Sequence, residues 1–262
     1  MTIFKLDIKR GRISLIVWTL AISFMLFVCL MIFPQMKGQM NEISDMYASM
    51  GSFTKAFGMD SLNFGEIMGF YGVECGNIMG IGGALFAALI GISALANEEK
   101  NHTAEFLLTH PVSRIAVVKE KLFAVIFQLV ILNIAVVLVS LASFAIIGEK
   151  PDIEAVLLLH FAYFIMQVEI GFVCFAVSAF IKRGGLGIGI GFAAIMYFFN
   201  IIGNISEDAE FLKYITPFGY AEASDIISVN ELDGIKISIG IGVTAAAVIL
   251  AFYRYSKKDI NI

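Results

Sequence analysis

Long apolar segments limit the folds open to this chain more than any other feature. A transmembrane helix needs about 20 mostly apolar residues to cross a hydrocarbon core of roughly 30 Å. Hydrophobic residues make up 59% of the 262 residues and charged residues only 15%, whereas soluble domains typically have about 45–50% and about 25%. The sequence therefore predicts an all-α integral membrane protein that forms a single domain over residues 1–262. Its six predicted transmembrane helices are Ile13–Phe33, Ile78–Ala96, Leu122–Ile147, Ala155–Phe180, Leu186–Ile202 and Ile235–Tyr253.

The distribution of charge predicts how these helices are oriented. Lys and Arg are enriched in the cytoplasmic loops of membrane proteins. If the N-terminus is cytoplasmic, most of the 18 Lys and Arg residues lie on that side, and acidic residues concentrate in two long outer segments, Pro34–Asn77 and Gly203–Gly234. We therefore expect a multi-pass protein of the plasma membrane with both termini in the cytoplasm. The net charge of −4 gives no support to nucleic-acid binding.

The connection between the second and third spans carries the most informative pattern. Residues 97–121 read NEEKNHTAEFLLTHPVSRIAVVKEK. Thr103 can cap a short helix, with Glu105 in its first turn, and Pro111 ends that helix. The pattern predicts an amphipathic helix on the cytoplasmic surface, tied to two spans. The alternative is a solvated connector of the kind that any multi-pass protein needs.

At these residues the chain resembles the type-2 permeases of ABC transporters. The ordered Thr, Glu, Leu-Leu, Pro, Val-Ser-Arg pattern is similar to their signature between spans two and three, and the six-span architecture is similar over the whole chain. One position departs from the pattern, since His102 stands where the family usually has Gly. The residues that the resemblance assigns to coupling are Glu98, Glu99, Thr103, Glu105, Phe106, Leu107, Leu108, Pro111 and Arg114.

The resemblance implies the membrane subunit of an ATP-driven exporter. Two copies of the chain would form a homodimer with two cytoplasmic ABC ATPase subunits, and residues 97–110 would be the coupling helix that sits in a groove of each ATPase. Thr2–Lys9 would be an N-terminal elbow helix, and Gly203–Asp233 would hold re-entrant helices that cap the exit. The cargo would be hydrophobic or amphipathic. The likeness to exporters of phenol-soluble modulins and lantibiotics favours a peptide toxin or antimicrobial peptide, with a lipophilic drug as the alternative.

The chain carries none of the common hydrolase motifs. G-x-x-x-x-G-K-[ST], H-E-x-x-H and G-x-S-x-G are all absent from the sequence. ATP and Mg²⁺ would therefore be bound by the partner ATPase, and this chain is expected to hold no cofactor or metal. A channel or helical bundle without an ATPase is the alternative class. An intramembrane enzyme using His160 and Glu169 is disfavoured because, at 100° per residue, the two side chains lie about 180° apart on one helix.

Polar residues inside the predicted spans form a candidate substrate pathway. Glu169 lies in the fourth span with Gln167, and Asn133 lies in the third. A charge at the centre of a membrane helix costs roughly 2.5–3.5 kcal/mol, so Glu169 should face protein or water. Two interpretations stay open: Glu169 contacts substrate or forms a gating hydrogen bond, or it holds two helices together.

Glycines recur at close spacing near the start of the fifth span. Gly185 and Gly189 form one small-x-x-x-small pair, and Gly187 and Gly191 form a second. Such pairs let helices approach closely. They predict helix packing either at a dimer interface, as the resemblance implies, or within one subunit.

Overall fold

A computed structural model describes residues 2–39, 50–59, 62–97, 113–181 and 185–258. Within these ranges every regular element is helical. A π-helical segment, Gly76–Ile81, joins α3 to α4, and 3-10 helices cover Lys37–Gln39, Glu207–Tyr214 and Pro217–Tyr220. The α-helices are α1 Thr2–Met36, α2 Ser52–Ala56, α3 Ile67–Cys75, α4 Gly82–Ala94, α5 Arg114–Ile147, α6 Ile153–Ser178, α7 Leu186–Ile205, α8 Ala223–Val229 and α9 Gly234–Lys257.

The prediction of six membrane-spanning helices is confirmed. Six helices are long and apolar enough to cross a bilayer: α1, the unit α3 to α4, α5, α6, α7 and α9. The helix that contains the first predicted span is longer than that span, because α1 begins at Thr2 and the predicted elbow Thr2–Lys9 continues into Ile13–Phe33 without a break. Apolar runs mark the part of a helix that suits lipid, whereas a helix can continue through charged residues. The position of Thr2–Lys9 relative to a membrane stays a prediction.

The helix that contains the second predicted span also begins earlier than that span. The structure starts it at Ile67 rather than at Ile78. Glu74 and nearby glycines interrupt the apolar run in the sequence, but Tyr71 and Cys75 are fully buried against the rest of the protein. The residues from 67 to 77 are therefore part of the helical bundle, not of the outer connection to which the sequence assigned them.

Helices α4 and α6 form the centre of the bundle. Their backbones approach so closely that a Cβ atom added to Gly91 would lie 2.1 Å from the carbonyl oxygen of Gly171. Around this pair, α1 packs on α5, α7 packs on α4, and α9 packs on α6. The outward faces of α1, α7 and α9 expose many large apolar side chains, which suits contact with lipid or with another chain.

Both ends of the described chain lie at the same end of the bundle, which we call the termini end. The Lys121 Nζ atom lies 3.1 Å from a carboxylate oxygen of Asp7. At the start of α5, the Arg114 guanidinium donates to the carbonyl oxygen of Lys258, and the Lys258 ammonium donates to the carbonyl of Ile181 at 3.1 Å. These bonds join α1, α5 and α9 and the end of α6. The side of the membrane on which this end lies stays a prediction.

At the opposite end, the connection between α7 and α9 folds back into the bundle. The Thr216 hydroxyl donates to the carbonyl oxygen of Met196 at 2.7 Å. Since α7 ends at Ile205, this contact lies about 13 Å back along the helix at 1.5 Å per residue. Pro217, Phe218, Gly219 and Tyr220 are all buried. We call Thr216–Tyr220 the inserted segment.

Candidate functional site

Most of the predicted coupling residues lie outside the described part of the chain. These are Glu98, Glu99, Thr103, Glu105, Phe106, Leu107, Leu108 and Pro111. Arg114 is described and is the first residue of α5, where the Ser113 hydroxyl accepts a bond from the Ala116 amide at 3.2 Å. The Arg114 guanidinium also donates to the carbonyl of Ser256 at 3.4 Å. Arg114 thus holds the start of α5 against the end of α9, and its role toward an ATPase stays a prediction.

Two of the three predicted pathway residues meet in the structure. The Asn133 side-chain amide donates to Gln167 Oε1 at 2.7 Å, and both residues are buried. The Gln167 amide rests directly on α4, because a Cβ atom added to Gly83 would lie 2.2 Å from its nitrogen. This pair therefore connects α5, α6 and α4 near the centre of the bundle.

Glu169 has a different partner, which sequence reasoning missed. The Tyr220 hydroxyl donates to Glu169 Oε2 at 2.7 Å, and both residues are about 95% buried. The carboxyl lies against Gly240 of α9, where an added Cβ would be 2.4 Å from the same oxygen. Burial and the neighbouring Glu169 raise the pKa of Tyr220 above its usual value, so the phenol stays protonated as the donor. Glu169 thus binds the inserted segment to α6.

His160 and Glu169 do not meet, as their spacing predicted. The His160 Nε2 atom lies 2.5 Å from the hydroxyl of Tyr71, which also donates to the Ser140 hydroxyl at 3.0 Å. His160 therefore joins α6 to α3 and α5, whereas Glu169 joins α6 to the inserted segment. Nothing in the described structure brings the two side chains together as an acid–base pair.

The bond between Tyr220 and Glu169 gives a testable expectation for stability. Tyr220→Phe removes the donor but keeps the ring, and leaving a buried acceptor unpaired costs about 1–3 kcal/mol. We expect thermal unfolding in detergent to show this loss. The matched control is Tyr214→Phe, because Tyr214 belongs to the same connection but is 45% exposed. Equal stability of the two variants would mean that the bond does not hold the inserted segment.

The four predicted packing glycines at the start of α7 fall into two groups. Gly185 and Gly189 pack inside the chain, since added Cβ atoms would lie 2.9 Å from side-chain atoms of Ile92 in α4. Gly187 and Gly191 have no atom within 4 Å of an added Cβ among the described residues. One pair thus packs within the subunit, and the other lies on the outward face.

A second polar cluster lies at the end opposite to the termini. The side-chain amides of Asn200 and Asn204 donate to Glu222 Oε2 at 2.9 and 3.3 Å. Burial raises the pKa of Glu222, and these two donors partly oppose the rise. Sequence reasoning did not single out this site. The sequence feature that could have indicated it is the spacing of Asn200 and Asn204, which are four residues apart and therefore share one face of the fifth span.

A cavity of about 400 Å³ opens at the termini end. Asp7, Arg10 and Lys121 contribute charged groups to its lining, while Val125 and Leu186 contribute apolar ones. Its volume lies within the usual range of small-ligand sites, roughly 300–1,000 Å³. The lining is therefore amphipathic, with α1, α4, α5 and α7 all contributing.

Together, six long apolar helices and the buried polar contacts between them define a multi-pass helical membrane protein. The chain belongs to the ABC-2 family of transporter proteins, because the protein-family model described as "ABC-2 family transporter protein" matches residues 1–260. No curated protein sequence matches it. The resemblance to ABC-transporter permeases is thus confirmed for the family as a whole. Membership in general implies a membrane component that works with an ABC ATPase.

Proposed function

We propose that this chain is the permease subunit of an ABC exporter, which moves hydrophobic or amphipathic cargo out of the cell across the plasma membrane. The observation that carries this proposal is the family match over residues 1–260, joined to six helices of membrane-spanning length. The work would come from ATP and Mg²⁺ bound by a separate ATPase subunit. Both termini would then be cytoplasmic, in keeping with the distribution of Lys and Arg.

The positions of α4 and α5 support coupling through residues 98–112. These residues connect α4, which belongs to the central pair of the bundle, to α5, whose start is held by Arg114 at the termini end. A displacement of this connection would act on both helices at once. We infer that the Glu98–Pro111 segment docks on the ATPase and passes its movement to α4 and α5.

The outward face of α7 supports assembly as a homodimer. Gly187 and Gly191 present an open backbone there, and Ile188, Ile195 and Phe198 beside them are exposed. Small residues flanked by apolar ones allow close helix pairing in lipid. Each of two permease copies would bind one ATPase, while the remaining exposed apolar faces would contact the bilayer.

The cavity at the termini end supports an amphipathic cargo. Its charged groups suit a polar or charged part of the cargo, and its apolar lining suits a hydrophobic part. A peptide toxin or antimicrobial peptide fits this chemistry and the resemblance to peptide exporters. A lipophilic drug is the second candidate, since it would use the apolar part alone.

Purification of the intact complex tests the proposed function. The tagged chain would be expressed together with an ABC ATPase encoded beside it and extracted in mild detergent. We expect a particle of two permeases and two ATPases that hydrolyses ATP, and loss of hydrolysis but not of assembly when the P-loop lysine of the ATPase is replaced. A chain that purifies alone, while the ATPase stays soluble, would favour a channel or bundle without a motor.

A further inference from the structure

We propose that Glu222, Asn200 and Tyr163 form a binding site for one monovalent cation of the size of Na⁺, at the end of the bundle opposite to the termini. This site is separate from the cavity at the termini end and from the bond between Glu169 and Tyr220. It does not depend on the proposed exporter function. Four observations support it: a carboxylate oxygen that accepts no hydrogen bond from the described residues, a small cavity beside it, two unpartnered buried oxygens and the net charge of the nearby side chains.

One carboxylate oxygen of Glu222 accepts hydrogen bonds, and the other accepts none from the described residues. Both asparagine amides donate to Oε2, and Oε1 has no donor among the described residues. Oε1 lies against Gly58, where an added Cβ would be only 2.2 Å away. Gly58 also has φ +64°, a left-handed conformation that favours glycine. The chain thus places a residue without a side chain beside the unused carboxylate oxygen.

A cavity of about 40 Å³ lies at this position, lined by Glu222, Asn200 and Tyr163. The Tyr163 hydroxyl and Asn200 Oδ1 are buried and have no hydrogen-bond partner among the described residues. Each such atom normally costs free energy unless a partner binds it. The volume is sufficient for a few water molecules or one small ion, but not for an organic ligand.

The donor set and the charge indicate the class of ion. Carboxylate, amide and phenol oxygens are hard donors of the kind that alkali and alkaline-earth cations prefer. The charges of Lys213 and Asp225 act on the Glu222 carboxyl in opposite directions, Lys213 lowering its pKa and Asp225 raising it. The charges of these two side chains offset each other, so the net charge around the site stays close to that of the Glu222 carboxylate alone. A monovalent ion would neutralise this charge, whereas a divalent ion would leave an uncompensated positive charge in a buried site.

The site joins elements that are distant in sequence. Its lining includes Gly58 from the segment after α2, Gly76 and Asn77 from the π-helical segment, and Asn200 from α7. π-helical turns inside α-helices occur frequently at functional sites. A bound cation would therefore hold the segment after α2 and the π-helical segment against α7.

The test is the thermal unfolding of the purified full chain in detergent, at one pH above neutrality and equal ionic strength. NaCl would be compared with KCl and choline chloride. We expect NaCl to raise the unfolding temperature by roughly 5 °C over choline chloride, as for a ligand well above its dissociation constant. Wild-type protein that unfolds at one temperature in all three salts would overturn the proposal, because the cavity would then hold water only.

Five variants locate the effect. Glu222→Gln removes the charge and Tyr163→Phe removes one oxygen, so the first should abolish and the second should reduce the Na⁺-specific shift. The control Glu207→Gln changes an exposed carboxylate of the same connection between α7 and α9 and should keep the full shift. Gly58→Ala should lose it, whereas Gly51→Ala, also at positive φ but with open space around it, should not. A shift that persists in Glu222→Gln would place any cation elsewhere and overturn the proposal.

Discussion

Replacing Gly91 with alanine is expected to separate α4 from α6 and to lower the free energy of unfolding by about 3 kcal/mol. The added Cβ would lie 2.1 Å from the carbonyl oxygen of Gly171 and 3.1 Å from the Cβ of Cys174. Since the first of these atoms is backbone, a side-chain rotation cannot relieve the clash. One of the two central helices must therefore move.

The matched control for this change is Gly242→Ala. Gly242 is also a glycine within a spanning helix, but an added Cβ there meets nothing within 4 Å. Alanine favours helix over glycine by up to about 1 kcal/mol, so this variant should be as stable as wild type or slightly more stable. Reversible unfolding in mixed micelles measures both values. Similar losses for the two variants would show that the close approach of α4 and α6 does not stabilise the fold.

The number of spans was predictable because apolar runs of sufficient length have few alternatives to crossing a bilayer. The helix ends were less predictable, since α1 continues through charged residues from Thr2 and the second span begins at Ile67. In both cases the helix extends beyond the part that needs to be apolar. Burial of Phe70, Tyr71 and Cys75 against protein stabilises this helix where Glu74 and several glycines interrupt the apolar run.

The partners of the buried polar residues could not be predicted from sequence. Asn133 and Gln167 stand out in the sequence only as polar residues within apolar runs, and their mutual bond depends on how α5 and α6 are rotated. Glu169 meets Tyr220 only because the inserted segment folds back into the bundle. The pattern of small residues in α7 likewise could not show which pair lies inward. Such contacts are set by tertiary packing, which hydrophobic periodicity does not encode.

Replacing Glu105, Phe106, Leu107 and Leu108 together with alanine is expected to uncouple the permease from its motor. These residues form the acidic and apolar part of the proposed coupling segment, and an interface of this kind depends on a few buried apolar anchors. The change leaves the six spans intact, so insertion in the membrane should continue. We expect ATP-driven efflux to fall at least about tenfold, which corresponds to about 1.4 kcal/mol.

A control with similar chemistry is available at the other end of the bundle. Glu207, Asp208, Glu210 and Phe211 are all exposed there, so their combined replacement by alanine changes three acidic residues and one aromatic residue away from the proposed motor. This variant should assemble with the ATPase and transport as wild type does. Loss of transport in both variants would point to general damage rather than to coupling.

The most direct measurement is ATP hydrolysis by the permease–ATPase complex, together with the amount of ATPase that co-purifies, for wild type and for these two variants in the same lipid. If the segment between α4 and α5 receives the motor, the Glu105–Leu108 variant will lose bound ATPase and its permease-dependent hydrolysis, while the control variant will keep both. If the Glu105–Leu108 variant binds the ATPase and hydrolyses ATP like wild type, the motor acts elsewhere and coupling through this segment is wrong.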